Sequence, residues 1–214
     1  MTVAGVLLAA GGSRRLGTPK QLLQHNGSSL VALAARQLLD AGCAPVLVIV
    51  GAHAADIRAA VSLLSVVCVD NEHWERGMGT SIAMAISTLS MPTWGHVHSA
   101  VIASCDMPAV SVAHLRALTA TAQSAPHHGV RRVASAYHGP GGDLVLGIPA
   151  LLPRADWPAL AALDGDQGAR RLLRQADTAT VFLRDGDLDL DTPADVHRWR
   201  AAEGIAPPPP SEGT

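Results

Sequence analysis

Aromatic side chains are scarce in this 214-residue sequence, at 3% of the total, with one Tyr and one Phe. The core must therefore be packed from Ala, Val and Leu. No basic stripe interleaves with aromatic residues, and the formal net charge is −2, so the sequence lacks the electrostatic footprint of a nucleic-acid binder. Cysteine is equally sparse. Cys43, Cys68 and Cys105 are odd in number, far apart and set in or beside apolar stretches, which excludes a disulfide framework or a zinc site and reads as reduced packing residues in a cytoplasmic protein. No apolar run reaches the length of a membrane span, and the start lacks the charged region of a signal peptide. A soluble, cytosolic protein without a membrane partner is expected. Its length suits one domain, taken as residues 1–204. The proline-rich residues 205–214 are read as a disordered tail.

What the chain does have is concentrated near its beginning. Val3 to Ala10 is almost wholly apolar and reads as a strand buried on both faces. Gly11, Gly12 and Gly17 then follow, interleaved with Arg14, Arg15 and Lys20. Glycines bring backbone N–H groups close to a ligand and the cations add fixed positive charge, a combination built for a polyphosphate. A P-loop is excluded, because Gly12 and Gly17 are followed by Thr18-Pro19-Lys20 rather than by Lys and a hydroxyl residue. A dinucleotide fingerprint is excluded too, since no Gly-x-Gly-x-x-Gly fits residues 11–17.

Further on, strands and helices alternate. Ser28 or Ser29 can cap a helix to about Asp40, Val46 to Val50 is a second buried strand, a helix spans roughly Ala54 to Leu64, and Val66 to Val69 is a short third strand. This order predicts an α/β, single-domain, doubly wound and mostly parallel sheet, with ligands beyond the carboxyl ends of its strands. Asn71 to Ser81 then enters a helix, Ile82 to Leu89, through a segment with Gly77, Gly79, Thr80 and Ser81, which is either a ligand-facing loop or a plain helix cap. Asp106 ends the strand Ala100 to Ala103. It stands where a magnesium ligand belongs in an open sheet, although such aspartates often cap helices, a role for which Ser111 is better placed. His127 and His128 lie in a loop and are assigned nothing. Val130 to Tyr137 and Leu144 to Ile148, joined by Gly139-Pro140-Gly141-Gly142, read as a small antiparallel hairpin at the sheet edge. A helix starting near Asp166 can present amides and Arg170 to an anion, or simply cap and solvate. Thr178 to Leu183 is a last strand, and Thr192-Pro193 starts a last helix.

The stretch Leu8 to Leu22 fits Leu-Ala-Ala-Gly-x-Ser-x-Arg-x-Gly-x-x-Lys-x-Leu without mismatch. It resembles the nucleotidyltransferase family that includes molybdenum cofactor cytidylyltransferase and guanylyltransferase. The resemblance implies a Rossmann-like nucleotidyltransferase fold in which Leu8, Ala9, Ala10, Gly11, Gly12 and Ser13 wrap an NTP, with Arg15 and Lys20 on its phosphates. Gly77 and Ser81 would help hold the base and ribose. Ala10, where guanylyltransferase relatives usually have glycine, favours cytosine and hence CTP. Cys105-Asp106-Met107-Pro108 and Asp189-Leu190-Asp191-Thr192-Pro193-Ala194-Asp195 resemble the family's two acidic motifs, which makes Asp106 and Asp191 the implied Mg²⁺ ligands and Arg15, Lys20 and Asp106 the implied catalytic residues. Leu163 to Leu172 resembles the Gly-Asp-x-Gly-Ala-Arg segment of the cytidylyltransferase branch, pointing to Asp166 and Arg170 at the acceptor. Gly141-Gly142-Asp143 departs from the usual Gly-His-Pro on that side of the cleft.

The implied reaction is attack by an acceptor phosphate on the α-phosphorus of CTP, releasing pyrophosphate, with molybdopterin as the acceptor. Two alternatives stay open. One is another small phosphorylated acceptor such as a sugar, alcohol or acid phosphate. The other is a non-catalytic factor that binds nucleotide or cofactor and serves a molybdoenzyme partner.

Overall fold

The computed structural model describes residues 1–124 and 130–203. The loop containing His127 and His128, and the tail 205–214, fall outside the described residues. In chain order the elements are β1 (Thr2–Leu8), β2 (Gln24–His25), β3 (Ser28–Ser29), α1 (Leu30–Asp40), β4 (Val46–Val50), α2 (Ala54–Val61), β5 (Val67–Asp70), α3 (Met78–Leu89), β6 (Val97–Ser104), α4 (Val112–Gln123), β7 (Val133–His138), β8 (Leu144–Pro153), α5 (Trp157–Ala161), α6 (Arg170–Leu173), β9 (Ala179–Phe182) and α7 (Pro193–Ala202).

One seven-stranded sheet runs in the order β5-β4-β1-β6-β8-β7-β9, and β2-β3 forms a separate two-stranded ribbon. β1 pairs in parallel with β4 and with β6, and β4 in parallel with β5. Within the seven-stranded sheet only β8 runs against its neighbours. The expected hairpin forms between β7 and β8 but does not end the sheet, because β9 adds outside it, parallel to β7.

The apolar residues of β1 divide by strand alternation. Val3 and Leu7 join Val31, Leu38, Ile57, Leu115 and Leu118, placing α1, α2 and α4 on one face. Ala4, Val6 and Leu8 join Ile82, Ile86, Trp157 and Leu160, placing α3 and α5 on the other. A strand covered on both faces has no polar side, which is why β1 and β4 are continuous apolar runs. A smaller cluster of Leu30, Leu190, Val196 and Trp199 seats α7 against α1.

This topology positions the site. From β1 the chain builds outward through β4 and β5, then α3 returns it to β6 on the other side of β1. The strand order reverses at β1, so the crevice beyond the carboxyl ends of β1 and β6 is where an open α/β sheet receives a ligand. Two helix starts differ from expectation. α3 begins at Met78 rather than Ile82, because Gly77, with φ of 120°, is its N-cap. No helix starts at Asp166. α6 begins at Arg170, after a turn in which Gly165 has φ of 60°.

Candidate active site

The loop after β1 is fastened from beneath by Gln21, which is 1% exposed. Its side-chain amide donates to the carbonyls of Ala9 at 3.0 Å and Gly11 at 2.6 Å, while its oxygen accepts from the Ser13 hydroxyl at 3.3 Å. Ser13 takes a left-handed φ of 51°, and its hydroxyl also accepts from the Lys20 backbone N–H at 3.0 Å. With two loop carbonyls held against Gln21, the turn keeps its open side for other ligands. Trp74 forms a wall: a Cβ on Gly12 would lie 3.0 Å from its ring, and one on Gly51 would lie 2.7 Å away. Arg14 stacks on the same ring, 5.8 Å from its centroid, and pairs with Glu75 at 3.1 Å.

Opposite the loop stands the start of α3. Buried Asn71 donates to the Thr80 and Ser81 hydroxyls, each at 2.9 Å, and accepts from the His73 N–H at 3.0 Å. Thr80 therefore braces the turn rather than capping the helix. Between these walls is a cavity of about 400 Å³, lined by every residue expected at the nucleotide: Leu8, Ala9, Ala10, Gly11, Gly12, Ser13, Arg15, Lys20, Gly77 and Ser81. A second cavity, of about 360 Å³, contains Tyr137, Asp166, Arg170 and Asp189. Met78, Ser104, Asp106 and Asp166 line both.

The segment 164–168 is bolted onto the helix start. The Gly79 N–H donates to the Gly165 carbonyl at 2.8 Å, and Arg76 pairs with Asp164. A Cβ on Gly77 would come within 2.5 Å of Asp166 Oδ1. Both its positive φ and this close approach require glycine. Asp166 and Arg170 thus both line the second cavity, but from a turn and a short helix and without the amide array of a helix start at Asp166.

The charged centre lies where the cavities meet. Lys20, the sequence's only lysine, donates through Nζ to Asp106 and to Asp191, the latter at 2.8 Å. Arg15 donates to the other oxygen of Asp191 at 2.6 Å, and the Ser104 hydroxyl donates to Asp106. The two motifs are joined through the backbone, the Leu190 N–H donating to the Asp106 carbonyl at 3.1 Å. A capping box between Thr192 and Asp195 then fixes the start of α7, so Asp195 is a helix-capping residue.

Burial opposes the Lys20 ammonium, but Asp106 and Asp191 outweigh it and raise its pKa above the ordinary value. Desolvation also opposes the Asp191 carboxylate, and the hydrogen bonds and charges of Lys20 and Arg15 outweigh it, lowering its pKa. Asp189 behaves oppositely. Desolvation in the cleft, with the negative charges of Asp106 and Asp191, pushes it up to about 7. Cys105 beside Asp106 is raised well above the ordinary thiol range, by burial first, and is no nucleophile.

Among the described residues no group of three or more His, Cys, Asp or Glu side chains closes on one point. Two converging carboxylates nevertheless fit Mg²⁺, which takes one or two carboxylates and completes its shell with water and phosphate oxygens. The Lys20 ammonium bridging Asp106 and Asp191 shows that the pair holds a cation.

A doubly wound sheet whose switch-point crevice joins a glycine-rich basic loop to a strand-end aspartate and a second aspartate just before the last helix defines a nucleotidyltransferase. Residues 5–180 match the MobA-like NTP transferase domain, and the chain belongs to that family. It is 36% identical over 177 residues to nicotine blue oxidoreductase of Paenarthrobacter nicotinovorans, covering 81% of this chain and 82% of that protein. It is 32% identical over 216 residues to the purine catabolism protein PucB of Bacillus subtilis, covering 92% and 96%. Among solved structures, Rv0371c of Mycobacterium tuberculosis superposes with a TM-score of 0.76 at 27% identity, over 93% of this chain and 97% of that one. Rv0371c has also been solved in complex with manganese; there the TM-score is 0.70 at 25% identity, with coverage of 92% and 97%.

Sequence reasoning left Gln21, Asn71, Trp74 and Asp189 without roles. Asp189 had a signal, its place two residues before Asp191 in the closing motif. Asn71 and Trp74 had one too, their place before Gly77 and Ser81 in a family-like Asn, Trp, Gly-x-x-x-Ser arrangement, whereas Gln21 had none, its partners being two backbone carbonyls and a hydroxyl.

Proposed function

We propose that this protein transfers CMP from CTP to a phosphorylated small-molecule acceptor, molybdopterin in the first instance, releasing pyrophosphate, in the cytoplasm. The observation that carries the reading is the convergence of Lys20 with Asp106 and Asp191, residues 86 and 171 positions away in sequence, at the junction of two cavities. A site that passes a nucleotidyl group from departing pyrophosphate to an acceptor needs such a junction, and Asp106 and Ser104 belong to both sides of it.

The loop amides, Arg15 and Lys20 take the β- and γ-phosphates and stabilise the charge that builds on pyrophosphate. Arg170 orients the acceptor phosphate from the second cavity, with Asp166 beside it. An acceptor phosphomonoester is largely dianionic at neutral pH, its second pKa being about 6, so no strong general base is required. One acceptor oxygen forms a bond to the α-phosphorus as the α–β bridging bond breaks, and pyrophosphate carries away the electron pair. Asp106 and Asp191 would hold Mg²⁺, which when bound neutralises charge on the transferring phosphate. Ala10 lines the first cavity, and its methyl would take space that a purine needs, which supports a pyrimidine.

The test is pyrophosphate release from purified protein given Mg²⁺, molybdopterin and each NTP in turn, with CTP expected to exceed GTP. No pyrophosphate with any NTP refutes the activity. Release only with a sugar, alcohol or acid phosphate keeps the transfer and replaces the acceptor, the outcome favoured by the departure at Gly141 to Asp143. CTP binding without turnover on any acceptor would point to the cofactor-delivering reading with a molybdoenzyme partner. The redox activity for which the Paenarthrobacter relative is named gets its own control, in which no oxidation of NADH or NADPH is expected.

A further inference from the structure

The groups expected to hold the triphosphate and the groups expected to hold the metal are bonded to each other. Lys20 Nζ sits between Asp106 and Asp191, and Arg15 closes the remaining oxygen of Asp191. These two cations and two carboxylates sum to zero charge. The cations differ in access: the Arg15 side chain is 72% exposed, whereas those of Lys20 and Asp106 are 18% and 10% exposed. Lys20 is also fixed at its root, its N–H on the Ser13 hydroxyl at 3.0 Å and its carbonyl accepting from Leu23 at 3.2 Å. Arg15 can swing into solvent, but Lys20 can leave only for something else inside the cavity.

We propose that Lys20 is a counter-ion plug: without nucleotide it occupies the carboxylate pair and closes it to a divalent ion, and the incoming triphosphate draws it off. The inference rests on Asp106 and Asp191 being the metal ligands. A divalent ion arriving alone must displace the ammonium and leave it unpaired a few ångströms away, at a Coulombic penalty. A triphosphate arriving alone strips the cations and leaves two bare carboxylates beside its own negative charge. Metal and triphosphate arriving together satisfy both halves, the carboxylates taking the ion and the cations taking the phosphates. Metal and nucleotide affinities are therefore coupled through one amine, and by linkage each raises the other by the same factor. The same amine serves two partners in turn, so the nucleotide-free site is held in a neutral, closed form.

The experiment is Mn²⁺ titration of the nucleotide-free full chain, followed by the electron paramagnetic resonance signal of free Mn²⁺, in wild type, Lys20→Met and Lys20→Arg. It is repeated with a non-hydrolysable CTP analogue. Methionine keeps the apolar stem as far as Cε and removes the ammonium. Lys20→Met should bind Mn²⁺ alone about tenfold or more tightly than wild type, Lys20→Arg should stay near wild type, and the enhancement of Mn²⁺ binding by the analogue should shrink in Lys20→Met. Mn²⁺ binding by Lys20→Met that is equal to or weaker than wild type overturns the plug, as does an undiminished enhancement. Adding Asp106→Asn to Lys20→Met separates this from the metal assignment. Loss of the gained site supports the plug, whereas a gained site that survives Asp106→Asn lies elsewhere and overturns both the plug and the ligand role of Asp106. A site that Asp106→Asn abolishes but Lys20→Met leaves unchanged overturns the plug alone.

Discussion

Replacing Gln21 by Leu tests whether the loop after β1 is held open by a buried amide rather than by its glycines alone. Leucine is close to glutamine in volume, so packing is retained and the loss is polar. The Ala9 carbonyl, in a residue 2% exposed, loses the N–H at 3.0 Å and has no route to water. An unsatisfied buried acceptor costs about 1–3 kcal/mol. The Gly11 carbonyl loses its 2.6 Å partner, but Gly11 is exposed and water can replace the amide, so only about 1 kcal/mol is lost there. The long 3.3 Å contact from Ser13 adds little. The sum, about 2–4 kcal/mol, is below the usual 5–15 kcal/mol of a folded domain, so the variant should fold. Its melting temperature should fall by roughly 5–15 °C, at about 2–4 °C per kcal/mol for a chain of this size. A loop free to turn its carbonyls inward should also raise the KM for NTP by about tenfold, equivalent to ~1.4 kcal/mol. Differential scanning calorimetry and steady-state kinetics measure the two effects. A melting temperature within about 2 °C of wild type and an unchanged KM would refute the assigned role of Gln21.

Three other variants separate the parts of the molecule. Asp106→Asn should abolish turnover while retaining most nucleotide binding, measured by calorimetry, and residual wild-type kcat would remove Asp106 from the mechanism. Arg132→Met strips the buried bidentate partner of Asp156, held at 2.6 and 2.8 Å; breaking such a pair should cost about 3–5 kcal/mol in denaturant unfolding and leave the KM for NTP unchanged. Asp189→Asn tests the raised carboxyl. Its folded pKa, about 7, lies above the ordinary 3.8, so between those values the folded protein holds a proton that the unfolded chain releases. Its contribution to stability is present in acid and lost as pH rises through about 7. Wild type should lose melting temperature relative to Asp189→Asn from about pH 5 to pH 8, and parallel melting curves across that range would count against the shift.

Local chemistry explains what the sequence disclosed. β1 is an uninterrupted apolar run because both its faces are covered, Ser29 and Ser111 cap the helices expected of them, and Asp106 follows a buried strand. The start of α3 was misjudged because Gly77 takes a conformation no side chain favours, and Thr80, a good cap by type, instead lies 2.9 Å from the Gly77 carbonyl. Asp166 looked like a helix start for the same reason that many Asp-x-Gly turns do. The pairing of Lys20 with two aspartates was invisible, because charge attraction across distant segments leaves no periodic trace. Gln21 was hidden similarly, since its partners are main-chain carbonyls that every residue possesses.

The lone amine of Lys20 makes the site chemically addressable. Since the sequence has no other side-chain amine, an acylating reagent that modifies lysine can mark this domain's side chains at one position only, and that position is in the candidate-site crevice. While it bridges the two aspartates the nitrogen is a protonated, shielded ammonium with no lone pair to offer. Its labelling rate is thus a built-in gauge of how often the amine is released from its partners.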